Sequence, residues 1–194
     1  MFLLGTGAII GIIVAALVVI LIIAMISCYN KLVQLRNKVR NQFSQVDVQV
    51  KKRFDLIPNL VEVAKGYAKH EESIFGEFAK ARGLYAEASS SKDVTKLAEA
   101  EKGLSGALSR LLMVQERYPE LKADKQFNEL MQQLKDCEKA IAIQRQFYND
   151  IVQKYNDKVE MFPSNLIASM FNFKLADFFK IENEAEREAP KVKF

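Results

Sequence analysis

Apolar residues follow two patterns along this chain. Over residues 9–26 they are continuous: Ile, Val, Leu and Ala fill almost every position, and no charged side chain occurs over residues 2–29. A helix rises about 1.5 Å per residue, so roughly 20 apolar residues cross a hydrocarbon core of about 30 Å. Residues 8–27 have that length, which predicts a membrane-spanning helix. From Leu32 the pattern becomes a stripe: Leu32, Leu35, Val39, Phe43, Val46, Val50, Phe54, Ile57, Val61, Ala64 and Ala68, in steps of three and four. Most of it repeats every eleven residues, about 3.67 per turn, which predicts a straight or slightly right-handed amphipathic helix. Residues 46–50 alternate like a strand, but the longer helical pattern outweighs them.

Pro58 interrupts this helix by removing a donor and crowding the carbonyl of Phe54. The stripe keeps its phase through Ile57 and Val61, which predicts a kink rather than an end. Lengths place the break near residues 69–72. Residues 31–68 would span about 57 Å and residues 124–160 about 55 Å at the helical rise, a matched pair for a bundle. A second helix carries Ile74, Phe75, Phe78, Ala81, Arg82 and Tyr85, and stops in Ser89-Ser90-Ser91. Asp93 is positioned to cap a third, with Leu97, Leu104, Leu108, Leu111, Leu112 and Gln115 on one face. Asp124 caps the longest soluble helix, whose face reads Phe127, Leu130, Leu134, Cys137, Ile141, Gln144, Tyr148, Ile151, Tyr155 and Val159. Pro163 ends it, and Ser164 is positioned to cap a short helix through Leu166, Ile167 and Met170. The fold expected is all-α: a transmembrane helix, then an antiparallel helical bundle with long helices. Its divisions are an anchor over residues 1–30, a bundle over 31–181 and an acidic, extended tail over 182–194.

Composition supports this picture. Glycine is sparse after the anchor, where only five of the eight occur, which disfavours a turn-rich β fold. Charge adds a direction. Residues 31–53 carry Lys31, Arg36, Lys38, Arg40, Lys51, Lys52 and Arg53 against Asp47 alone, a balance of +6, while the chain as a whole is +4. These seven side chains are the expected contacts with anionic headgroups. A nucleic-acid surface would need basic residues spread over a face with aromatics or a known motif, and neither occurs. Basic residues directly after the apolar run place the amino terminus outside and the bundle in the cytoplasm, by the positive-inside rule.

Two features of the anchor carry further expectations. Gly7, Gly11 and Ala15, four apart, form a small-residue face on which two membrane helices could pack. Met25-Ile26-Ser27-Cys28 loosely resembles a lipoprotein processing site, although the uncharged n-region argues against a signal peptide. Lipidation at Cys28 would remove the anchor and leave the bundle outside.

Residues suited to reactive chemistry are sparse in the sequence. His70 is the sole histidine and has none of the spacings of a metal site; Cys28 and Cys137 form no CxxC pair. Cys137 reads as a core residue on its stripe. No cofactor is expected. Asp55, Glu62, Glu71 and Glu72 read as solvated helix charges rather than acid–base pairs. Phe171, Phe173, Phe178 and Phe179 read as packing over the end of the bundle, with lipid or partner contact as the alternative.

Specific strings then point to a family. Tyr29-Asn30-Lys31-Leu32-Val33, Val46-Asp47-Val48-Gln49 and Asp55-Leu56-Ile57-Pro58-Asn59-Leu60-Val61 resemble the LemA family. So do Lys65-Gly66-Tyr67-Ala68-Lys69-His70-Glu71, Tyr118-Pro119-Glu120-Leu121-Lys122-Ala123, Tyr148-Asn149 and Tyr155-Asn156. The resemblance implies an N-terminal anchor on an antiparallel helical bundle in a bacterial envelope, and brings no catalytic residue or cofactor. Relatives include a magnetosome-membrane protein, and some look lipidated at a cysteine before Tyr-Asn, the order of Cys28-Tyr29-Asn30. The expected function is non-enzymatic: a single-pass protein of the bacterial cell membrane that self-associates or binds a protein partner there. The alternatives are a membrane-shaping scaffold of large oligomers, a lipoprotein with its bundle outside, and an enzyme or metal protein.

Overall fold

The computed structural model describes residues 5–68 and 71–179. His70 and the acidic stretch after residue 181 lie outside the described residues. Six helices occur among the described residues: α1 (Thr6–Tyr67), α2 (Glu72–Ser91), α3 (Val94–Arg117), α4 (Pro119–Ala123), α5 (Lys125–Glu160) and α6 (Ser164–Met170). The apolar run and the amphipathic stripe are one uninterrupted helix, α1, which also continues through Pro58. Pro58 is exposed, so its ring and missing donor face solvent rather than the packed side. The chain divides into two compact units, one of Met1–Asn41 with Asp150–Ala176, the other of Gln42–Asn149 with Asp177–Phe194.

The second unit is an up-down-up-down four-helix bundle. Its register follows from long-range contacts. Gln42 donates to Gln144, Phe43 packs edge-on against Tyr148 and Arg53 pairs with Glu138, so rising numbers on α1 meet falling numbers on α5. Tyr85 and Ser89 of α2 both donate to Asp47, and the ring of Tyr85 stacks on Phe54 at 4.6 Å. Arg110 pairs with Glu77 and Arg117 with Glu71, which sets α3 antiparallel to α2. Glu101, buried on α3, pairs with Arg145 of α5. A buried carboxylate demands such a partner, because desolvation otherwise disfavours its charge.

Helix boundaries follow local chemistry. Asp93 accepts from the backbone N–H groups of Thr95 and Lys96, and Asp124 from that of Phe127, so both expected caps form. Tyr67 also donates to Asp124, and these two donors, the Phe127 backbone first, hold its carboxyl below the usual carboxylate range. Ser89, Ser90 and Ser91 are helical rather than loop. Ser90 and Ser91 hydroxyls bond back to the carbonyls of Glu87 and Ala88, and Lys92 ends α2 at a left-handed φ of 53°. Pro119 opens the short α4, where a missing N–H leaves no intrahelical bond unmade. Ser164 is the first residue of α6 rather than its cap; its hydroxyl donates to the carbonyl of Met161 after a cis Phe162–Pro163 bond.

The buried stripe of α1 is the expected one from Leu32 to Ile57. Beyond Pro58 it passes through Leu60, fully buried, while Val61 is only half-buried. On α3, Val114 is buried and Leu112 is exposed. Cys137 is half-buried rather than core.

Candidate membrane-facing site

The first unit holds the features that bear on function. Every large apolar side chain over residues 9–26 is at least two-fifths exposed, whichever face of α1 it stands on. A helix apolar all round belongs in a core or a bilayer, and no described residue covers this one. α1 is the one helix among the described residues long and apolar enough to cross a membrane. The positions of Gly7 and Gly11 open onto free space, with no atom within 4 Å of an added Cβ.

Directly after the run, aromatic rings gather around Tyr29. Phe171 lies 4.7 Å away and Phe173 5.8 Å, centroid to centroid. Phe173 in turn lies beneath the Arg36 guanidinium, 4.9 Å from its centroid. Arg36, Arg40 and Lys174 share a cleft of about 310 Å³ with Val39, Tyr155 and Phe173, and no acidic side chain lines it. Such a cleft concentrates positive potential and suits an anionic group.

The seven expected headgroup contacts therefore separate. Lys31 and Lys38 are exposed in the first unit, and Arg36 and Arg40 line its cleft. Lys51 and Lys52 are exposed in the second unit, where Lys51 pairs with Asp55 at 2.7 Å. Arg53 is a correction. It is only 4% exposed, donates to Ser105 and sits 3.7 Å from Glu138, so a lipid headgroup cannot reach it. Burial pulls its pKa below the usual guanidinium value, and Glu138 opposes that shift. Position told as much: Arg53 lies three residues after Val50 and four before Ile57, on the stripe itself.

The four phenylalanines also divide. Phe173 and Phe179 are buried, as core packing requires, while Phe171 and Phe178 are exposed. The non-helical backbone that carries them is held by a repeated device. In the first unit Tyr155 donates to the carbonyl of Lys174, and the Asn156 amide both donates to and accepts from the backbone of Ala176. In the second unit Tyr148 donates to the carbonyl of Asp177, and Asn149 pairs the same way with Phe179. Each Asn replaces a strand partner. The spacing explains the repeat: seven helical residues rise about 10.5 Å, and three extended residues cover about 10 Å. The sequence shows Tyr-Asn twice, seven apart, but not the segment it grips. Burial pushes the Tyr148 phenol up to about 12, with the Asp177 carboxylate adding to it; burial also raises Tyr155.

Reactive constellations are sparse. Among the described residues no three His, Cys, Asp or Glu side chains converge to hold a metal. Asp55 is paired with Lys51 and Glu71 with Arg117. Cys28 and Cys137 are both free thiols.

Fold and site together define an all-helical protein whose first helix is apolar enough to cross a membrane and whose next turns are basic. The chain belongs to the LemA family, whose model matches residues 42–194. It is 26% identical to the magnetosome proteins MamQ 1 and MamQ 2 of Paramagnetospirillum magneticum, over 84% of this chain and 68% of theirs. It is 25% identical to the magnetosome protein MamQ of Magnetospirillum gryphiswaldense, over 78% of this chain and 64% of that one.

Proposed function

We propose that the protein is a non-enzymatic, single-pass module of the bacterial cell membrane that presents a helical bundle for self-association or partner binding. The observation that carries this reading is the uncovered apolar surface of residues 9–26, which no described part of the chain packs against. The magnetosome relatives agree with a membrane role. In this reading residues 1–30 anchor the chain, residues 31–181 form the working part and residues 182–194 are a tail. Lys31, Arg36, Lys38 and Arg40 meet anionic headgroups, with Lys51 and Lys52 as further cations; the Gly7, Gly11 and Ala15 face offers a close approach for a second anchor helix.

The charge pattern favours a cytoplasmic bundle. Protease added to intact spheroplasts should then leave the bundle whole, whereas its digestion would favour a lipid-anchored form with the bundle outside. Processing at Cys28 is read from the mature mass with and without Cys28→Ser. Self-association is read from the size of the full chain in mild detergent. A multiple of 22.1 kDa, or a stoichiometric companion, supports the module reading. A lone monomer without a companion contradicts it, and a very large assembly favours a membrane-shaping scaffold.

A further inference from the structure

The corner between α5 and α6 displays apolar side chains that no described residue covers. Met161 is 62% exposed, Phe162 79%, Leu166 61%, Met170 59% and Phe171 50%. One exposed leucine is ordinary; five large apolar side chains within eleven residues form a patch that calls for an occupant. α6 is two-faced. Ser164 and Ala168 are buried at 1% each, while Leu166 and Met170, four residues apart, point outward together.

Placement selects the occupant. The ring of Phe171 stands 4.7 Å from that of Tyr29, three residues after Ile26 closes the apolar run. The patch is thus beside the point where α1 would leave the hydrocarbon, the depth at which aromatic rings settle in membranes. The surrounding first unit carries seven basic side chains against three acidic, a balance of +4 that suits an anionic surface.

We propose that Phe162, Leu166, Met170 and Phe171 enter the interfacial layer of the same bilayer that α1 spans, giving the first unit a second membrane contact. This rests on the spanning reading of α1. Two contacts stop the unit from swinging about a single helix, so the basic cleft of Arg36, Arg40 and Lys174 keeps a fixed position relative to the headgroups.

The chain contains no tryptophan, so a single introduced indole reports its own surroundings. The full chain is placed in phosphatidylcholine–phosphatidylglycerol vesicles as Phe162→Trp and, separately, Ile20→Trp. Free N-acetyltryptophanamide sets the zero. Brominated lipids should quench both variants, Phe162→Trp by about twofold, since an interfacial helix lies roughly 5–10 Å deep and within reach of upper-chain bromines. Quenching of Ile20→Trp with Phe162→Trp behaving like the free indole overturns the corner contact alone. Blue-shifted emission from Phe162→Trp without quenching means that protein, such as a second copy, covers the patch, and also overturns it. An unquenched Ile20→Trp overturns the spanning reading from which the proposal starts.

Discussion

Residues 9–26 and residues 32–57 are parts of one helix, yet they treat their surfaces in opposite ways. In the first part no side chain is buried, and apolar groups face every direction. In the second, Leu32, Leu35, Val39, Phe43, Val46, Val50, Phe54 and Ile57 are all within a tenth of full burial, and most of the other positions are polar, with Val48 an exposed exception. The backbone is continuous helix across both, so the fold does not separate them. What differs is the solvent each was written for. A stripe needs protein on one side and water on the other; an all-round apolar surface needs lipid or a core on every side.

The largest effect should come from charging the first part. Val14→Lys, Leu17→Lys and Leu21→Lys each oppose insertion by about 2.5–3.5 kcal/mol near the helix centre. The triple variant should leave the membrane fraction on alkaline washing while its bundle unfolds at the parent's denaturant midpoint. Phe54→Ala should do the reverse. Phe54 is 2% exposed and stacked on Tyr85, so its loss costs about 3–5 kcal/mol, visible as a lowered midpoint with membrane retention unchanged.

Those two parts were legible in the sequence because each shows its burial as a period. The failures occurred where period and partner diverge. Val61 continues the eleven-residue repeat, but just past Pro58 the packed side passes through Leu60. Leu112 is more apolar than its environment, and Val114 takes the buried place on α3. Arg53 belongs to the run of basic residues in the linear sequence, yet its position lies on the stripe and it is buried. The Tyr-Asn grip was unreadable for a different reason: its partner is irregular backbone, which has no period, and only the seven-residue repeat of the gripping side is printed in the chain.

That grip gives the next smaller effect. Asn156→Leu strands the N–H and carbonyl of Ala176, worth about 1–3 kcal/mol for buried unpaired groups. Hydrogen exchange at Ala176 should accelerate, by about tenfold for each 1.4 kcal/mol lost if opening is the limiting equilibrium, with exchange in residues 9–26 unaltered in bilayers. The smallest effect is on pH dependence. Burial holds the Tyr148 phenol at about 12 against an ordinary 10, so its protonated form is favoured in the fold. The stability linked to it is complete below pH 10 and is lost as pH rises toward 12. Tyr148→Phe should flatten that alkaline decline in the unfolding midpoint, after correction for the lost bond to Asp177.

The contrast between the two parts of α1 is tested most directly by a spin-label scan of the full chain in bilayers, on a Cys28→Ser, Cys137→Ser background. Labels over residues 9–26 should be reached by oxygen and shielded from a water-soluble nickel chelate at every position, whereas over residues 32–57 nickel access should rise and fall with the helical period. Nickel access throughout residues 9–26 would contradict the account, because the run would then stand in water.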